Sequence, residues 1–407
     1  MMAKADGHNE QWKTVRFDKF FSMLPTNTLS RDKLNSQRGT YQNIHYGDVL
    51  IKYPFCLDCD KYDIPYINDD VKFNATEVKD GDVIFADTAE DDTVGKCVEV
   101  LNVGDRKIVS GLHTYFCRPK YKTAAGYLGY FLNSNHFHNQ LLPYIAGSKV
   151  SSVNRTSIAR TYISYPNSLP AQRRIAAILS SADKVIEQTR QLIGKYKSIK
   201  QGMMEDLLKP KEGWKKMKLG DCCIRLCNGM TYDIEEKTGH LVTRIETISE
   251  GYIDYSKVGH TNYLPKQEYK LVKGDILFSH INSIKHIGKV AYYDDDIELY
   301  HGMNLLVIRT DNKIDSKYLF YQLTSENVRK EIRALAKSAV NQASINTTEL
   351  QKFEINFPFK NDVPDLPEQR RIAKILSGID RKIEAEEKVL EKYEKMKKGL
   401  MERVLEE

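Results

Sequence analysis

The sequence lacks the signatures of most enzyme classes. It has no Gly-x-x-x-x-Gly-Lys-Ser/Thr loop to cradle nucleotide phosphates, no Gly-x-Gly-x-x-Gly opening a helix and no His-Glu-x-x-His pair. No apolar run approaches the ~18–20 residues needed to cross a bilayer. The start, Met1 to His8, is polar and has no apolar leader, so an intracellular, cytoplasmic protein with no membrane partner is expected. Its 7 cysteines are odd in number, with Cys56/Cys59 and Cys222/Cys223/Cys227 loosely clustered, which argues against a disulfide framework and for buried thiols. Cys56 and Cys59 are not followed by a second pair at zinc-site spacing. His136 and His138 have no counterpart in the matching stretch near Thr324-Ser325, so they read as surface or core-edge residues and not as ligands. Pro364-Asp365 followed by Glu386-Glu387-Lys388 superficially resembles a metal-nuclease string, but its carboxylates fall in a helical repeat where charges form a solvated face. We find no catalytic constellation and no resident metal or cofactor site.

What is present is ordinary globular composition, 41% hydrophobic and 29% charged, over 407 residues, enough for two or three domains of roughly 150 residues each. The net charge of +6 is mild, and it is spread along the chain. Any nucleic-acid site must therefore be a local groove.

An internal repeat organises the chain. Residues 169–208 and 366–405 align at a fixed offset of 197, with twenty of forty positions identical. Fainter matches precede each copy. Gly81-Asp82-Val83-Ile84-Phe85 pairs with Gly274-Asp275-Ile276-Leu277-Phe278, Val94-Gly95-Lys96 with Ile287-Gly288-Lys289, Gly111 with Gly302, and Arg118 with Arg309. Tyr127-Leu128 also matches Tyr318-Leu319, Ser152-Val153-Asn154 matches Ser344-Ile345-Asn346, and Trp12-Lys13 matches Trp214-Lys215.

Within the forty-residue copies, apolar side chains recur at alternating steps of three and four: Ile175, Leu179, Ala182, Ile186, Ile193, Tyr196, Met203 and Leu207, and the same places from Ile372 to Val404. This is a coiled-coil seam. Both copies break it at two shared positions, Thr189 and Lys200 in one, Glu386 and Lys397 in the other, as if register were specified. Leu-Pro opens each helix, and Gly202 and Gly399 are expected to weaken or bend the last turns. The intervening stretches mix short apolar strands with turn signals and one helical segment, so the fold class is α+β. The expected division is 1–168 and 209–365 as two variable domains, with 169–208 and 366–407 as repeated helices.

Two diverged domains, each followed by a Leu-Pro-x-Gln-Arg-Arg-Ile-Ala-x-Ile-Leu-Ser-x-x-Asp helix at Leu169–Asp183 and Leu366–Asp380, resemble the specificity (S) subunit of Type I restriction–modification systems. The resemblance covers essentially the whole chain. It implies two target recognition domains, each reading one half of a split DNA sequence, joined by two long antiparallel helices forming a coiled-coil spacer. It implies no catalysis in this chain. The partners implied are double-stranded DNA, two DNA adenine methyltransferase subunits and an ATP-dependent restriction and translocation subunit, with S-adenosylmethionine, ATP and magnesium bound by those partners. Geometry points the same way: about thirty helical residues at ~1.5 Å each make a strut of ~50 Å, against ~34 Å per turn of B-DNA. The rival reading is a coiled-coil adaptor presenting two protein-binding domains, without DNA function.

Base contacts are expected on loops beside the matched strands. After the first Gly-Asp strand come Asp87 and Thr88, then Glu90, Asp91 and Asp92. After the second come His280, Asn282, Ser283 and Lys285. Carboxylates accept from cytosine, Asn pairs with adenine and Lys with guanine. His113 and Asn304, after the matched glycines, are further candidates. Lys52, Lys96, Lys149, Arg155, Arg244 and Lys289 are candidates for phosphate or base contact. Apolar residues on the repeats such as Ile178, Met204, Ile375 and Met401 would either dock a partner or pack on the domains.

Overall fold

A computed structural model describes residues 11–406 except 92, 148–149, 234, 249–250 and 340–341. The chain forms two compact units, Met1–Arg190 with Lys388–Glu407, and Gln191–Glu387. Each unit holds one α+β domain with half of each long helix, Leu169–Leu208 and Leu366–Val404.

In the first unit, a five-stranded sheet runs in the order Phe21–Leu24, Thr114–Pro119, Val83–Ala86, Cys97–Leu101, Cys56–Asp58. Alternate residues of Val83–Ala86 feed two cores. Val83 and Phe85 pack with Tyr127, Phe131 and Phe137 on one face, while Ile84 and Ala86 pack with Ile44, Val98 and Phe116 on the other. A strand covered on both faces must be apolar throughout, which is why Val-Ile-Phe-Ala shows no alternation. The second unit repeats this with four strands, in the order Cys223–Asn228, Leu306–Thr310, Ile276–Phe278, Val290–Tyr292. Ile276 and Phe278 face one core and Leu277 the other.

The matched residues have structural reasons. Asp82 is buried, receives the Arg118 guanidinium at 2.9 and 2.7 Å and accepts the Lys79 N–H at 2.7 Å. Asp275 does the same with Arg309, at 2.7 Å twice, and with the Val272 N–H at 2.8 Å. These bidentate pairs satisfy a carboxylate that burial would otherwise leave stranded. Each opening Trp-Lys strand pairs with the strand leading toward a long helix, Trp12 opposite Pro166 and Trp214 opposite Pro358. The second linker is longer because it folds back as a hairpin, Lys360 opposite Val363, around Asn361 and Asp362 at φ 51° and 62°.

The long helices start where Leu-Pro places them. Ser168 Oγ accepts the Ala171 N–H at 3.3 Å, and Asp365 Oδ1 accepts the Glu368 N–H at 3.1 Å. Gly202 and Gly399 do not end them: each lies in open space, and the helices run on to Leu208 and Val404. The halves pair antiparallel within each unit. In the first, Asp183 meets Lys397 and Arg190 meets Glu394; in the second, Lys197 meets Glu387 and Lys200 meets Asp380.

The seam-breaking lysines are therefore cross-helix ion pairs. Lys397 Nζ lies 2.5 Å from Asp183, whose other oxygen accepts the Tyr130 hydroxyl at 2.8 Å, and sits 4.5 Å above the Phe55 ring. Lys200 lies 2.6 Å from Asp380, which accepts the Tyr321 hydroxyl at 2.6 Å. Each cluster joins two helices and one domain. Met401 and Met204 lie in the cores against those domains, whereas Ile178 remains exposed.

Two buried groups titrate in opposite senses. Glu99 accepts the N–H groups of Gly126 and Gly129 at 2.9 and 2.8 Å, and burial pushes its carboxyl up to about 7. His301 has Nε2 at 2.9 Å from the Leu305 carbonyl, and burial pushes its ring down to about 4.

Trp12 and Trp214 are the two tryptophans, one per unit, so single-tryptophan variants report each unit separately. Lys397→Ala lowers the unfolding free energy of the first unit by about 2 kcal/mol. Lys397→Met costs less, because its stem still packs on Phe55. An unchanged denaturation midpoint for both variants would contradict the role of the cluster.

The folded state of the first unit holds an extra proton on Glu99, so that stabilisation is present below the ordinary carboxyl range and is lost as the pH rises through about 7. The second unit's His301 contribution is present above the usual imidazole range and is lost as the pH falls toward about 4. Each amounts to on the order of 3 kcal/mol. Amide protection factors measured from pH 4.5 to 7 should move in opposite directions in the two units, and Glu99→Gln should flatten the first. A common slope would count against this assignment.

Candidate nucleic-acid interface

The matched glycines set the geometry of the loop tips. A Cβ on Gly302 would lie 2.1 Å from the Thr243 carbonyl, so only glycine fits there, and one on Gly111 would lie 2.5 Å from Asn43 Nδ2 and crowd that side chain. Two residues later the chain turns left-handed at His113, φ 53°, and Asn304, φ 66°. Asparagine tolerates that conformation, and histidine adopts it more often than most residues.

In the first unit, His113 reaches Asp87: Nδ1 lies 3.4 Å from Oδ1, and the Asp87 N–H donates to the His113 carbonyl at 3.1 Å. The His113 ring packs edge-on against Tyr46 at 5.3 Å. Thr88 follows on a short strand paired with Ser151–Ser152. The Val153 N–H donates to the Asp87 carbonyl at 3.0 Å and the Tyr115 hydroxyl to the Val153 carbonyl at 3.1 Å, which ties this loop to the segment carrying Arg155. Arg155 is exposed, with its guanidinium at 2.9 Å from Met23 Sδ. Asp91 is taken up locally, accepting the Thr93 N–H and hydroxyl, while Glu90 is exposed. Lys149 and Asp92 lie outside the described residues.

Two basic candidates of this unit are engaged elsewhere. Lys96 is half-buried, donates to the Leu50 carbonyl at 2.7 Å, and burial lowers the pKa of its amine. Lys52 is exposed, bonds to the Asp63 carbonyl and lies over the Tyr53 ring.

In the second unit, Asn282 and Lys289 line a cleft of about 390 Å³ together with Glu246, Lys257, Ser279 and His286. Asn282 Nδ2 donates to Ser279 Oγ at 3.1 Å, and its Oδ1 accepts the Ser283 N–H at 2.8 Å. Ser283 and Lys285 are exposed beside it. Arg244 is half-buried, 3.6 Å from Glu246 on the cleft wall. His280 is buried, and desolvation pushes its ring down to about 4, so it is a neutral group behind the loop and not an exposed reader.

One feature was not legible in the sequence. In each unit the loop after the Gly-Asp strand is extended into a small antiparallel ribbon by a distant segment. In the second, Ile281 lies opposite Ser344 and Ser344 opposite Lys337, with Ala339 opposite Gln342. In the first, Thr88 lies opposite Ser152, which bridges Ala146. The Ser-Val-Asn and Ser-Ile-Asn matches are its only trace in the sequence. The outward residues Gln342, Lys337 and Ala146 leave none.

The profile of the Type I restriction modification DNA specificity domain matches this chain twice, over residues 9–195 and 211–395. The chain is 43% identical over 199 residues to a type I restriction enzyme MjaX specificity subunit of Methanocaldococcus jannaschii, covering 47% of this chain and 45% of that one. It is 28% identical over 262 residues to the MjaVIII specificity subunit of the same organism, covering 58% and 60%. The chain thus aligns with about half the length of these relatives. Among solved structures, the S subunit of the type I system from M. genitalium superposes with TM-score 0.57 at 14% identity over 98% of both chains. A chain from a study of assembly and conformational transition in the type I system gives 0.58 at 16% identity over 97% of both. The fold is therefore shared across nearly the whole chain, and with two copies of the domain this chain belongs to the Type I restriction modification DNA specificity family.

Proposed function

We propose that this chain is the sequence-reading subunit of a cytoplasmic Type I restriction–modification complex. Its two domains read two different half-sites separated by unspecified base pairs. The observation that carries this reading is the repeat of one frame with unlike side chains. Each unit has the same Asp–Arg pair, the same crowded glycine and the same Lys–Asp–Tyr cluster on the helices. One then has Asp87, Thr88 and His113 where the other has His280, Ile281 and Asn304, and the second loop goes on to Asn282 and Lys285. A frame kept twice with its exposed chemistry changed suits two readers of one polymer. Among the basic candidates, Arg155, Arg244, Lys285 and Lys289 remain near the proposed contact surfaces, and Lys96 is structural.

The chain itself performs no chemistry in this reading. It docks two DNA adenine methyltransferase subunits and, through them, an ATP-driven restriction and translocation subunit. S-adenosylmethionine, ATP and magnesium reside on those partners. Exposed apolar residues on the helices, Ile178, Val185, Val389 and Met396 in the first unit and Ile199 in the second, are the proposed docking surface. Ile178 and Val185 are seven residues apart, which puts them on one helix face outside the seam within the first unit.

Mapping methylated adenines in the source genome should yield a bipartite, asymmetric motif. A continuous palindrome, or a duplex affinity that does not vary with sequence, would overturn the reading. Inserting one heptad into only one long helix moves Lys200 or Lys397 out of register with its aspartate. The expected outcome is loss of assembly or a changed number of unspecified base pairs, read from the methylation pattern; an unchanged motif would contradict the spacer role.

A further inference from the structure

The ribbons beside the reading loops have a property that packing alone does not explain. In the second unit the strand Gln342–Ser344 is anchored on one side only: Ala343 and Ile345 are buried in the domain core, and the Ile345 N–H donates to the His280 carbonyl at 2.9 Å. Because strand side chains alternate, that anchoring forces Gln342 and Ser344 outward, and both are exposed. Lys337 stands exposed opposite Ser344, held 3.1 Å from Glu349. In the first unit the same anchoring recurs through buried Val153 and its bond to the Asp87 carbonyl, but the corresponding row is Ala146, Ser152 and Thr88. The backbone thus accepts Lys or Ala, and Ile or Thr, at equivalent places. Folding does not dictate these identities.

Among the described residues, Ile281–Asn282 pairs only with Ser344 and Ala343, so beyond it Ala339 and Gln342 continue as a pair of two strands, and a two-stranded ribbon fits the ~12 Å major groove. Outward residues two apart on a strand are ~6.8 Å apart, about two base-pair steps at ~3.4 Å each. We infer that the paired strands Lys337–Ala339 and Gln342–Ser344 enter the major groove of the second half-site, with Gln342 reading an adenine there through its amide, and that Ser151–Ser152, paired with Thr88–Ala89 and bridged to Ala146, occupies the first half-site in the same way. Gln is suited to adenine because its amide both donates to N7 and accepts from the N6 amino group. Ala146 brings no hydrogen-bonding side chain, so the first half-site is read by Ser152 and Thr88 with less chemical contrast at that edge.

This inference rests on the sequence-reading function proposed above, and the test separates the two. The full chain, assembled with its methyltransferase subunits, is assayed for methylation of duplexes in which each base pair of the mapped motif is varied in turn. Gln342→Ala should reduce discrimination about tenfold or more at a single A·T pair of the second half-site and leave the first half-site unchanged. Gln342→Glu, an acceptor only, should shift preference at that pair toward cytosine. Ser152→Ala should act on the first half-site alone. Unchanged discrimination at every position for Gln342→Ala and Gln342→Glu, or an equal loss across both half-sites, would overturn the inference while leaving a bipartite wild-type motif intact. A wild-type complex with no sequence preference would overturn the function beneath it as well.

Discussion

The constraint on which the rest depends is a polar contact at a position the coiled-coil pattern would give to leucine or isoleucine. Lys397 against Asp183 and Lys200 against Asp380 interrupt the apolar seam, each within its own unit, and each aspartate also takes a tyrosine hydroxyl from the adjoining domain. A partly desolvated ion pair contributes little net stability compared with an apolar contact. What it supplies is register, because a slipped helix leaves a lysine against hydrocarbon and a carboxylate without its donors. The repeat makes this self-consistent. Both helices carry the same Asp and Lys at an offset of 197, so antiparallel pairing matches opposite charges, whereas in-register parallel pairing would set Lys against Lys and Asp against Asp.

Much of this scaffold was visible beforehand for physical reasons. A seam of alternating three- and four-residue spacing needs no structure to recognise, and two shared breaks in it are hard to explain as drift. The partners of those lysines were not visible, because an ion pair between residues 214 apart, as in Asp183 and Lys397, leaves no local pattern. The two glycines near the helix ends do not stop the helices: helix propensity penalises them, and Met204 and Met401 pack those turns against the domain cores.

The loops proposed to contact DNA were legible as loops, but the contacts their side chains make were not. Residue type placed Asp87, His113, Asn282 and Lys285 on loops near the Gly-Asp strands. It could not separate Lys96, drawn inward to the Leu50 carbonyl, from its match Lys289, which lines a cleft. His280 is a loop residue by sequence yet buried in the fold, where its carbonyl accepts the N–H of Ile345, some sixty residues on. Long-range strand pairing is the information a single sequence holds least openly.

The same separation of scaffold from surface explains how the domains diverged without losing their place on the helices. Asp82–Arg118, Asp275–Arg309 and the tyrosine–aspartate contacts are buried or half-buried and stereochemically exacting, so substitution at any of them would strand a charge. Thr88 and Ile281, or Ala146 and Lys337, occupy equivalent ribbon positions with unlike side chains, and the surface pair of Lys337 with Glu349 is only a weak constraint on that choice. Chemistry at such positions is free to follow a ligand. A chain that presents two unlike surfaces on one repeated frame therefore gains from confining its exacting polar contacts to the interior of each unit and to the helix seam, and from leaving only weak surface contacts on the exposed ribbon rows.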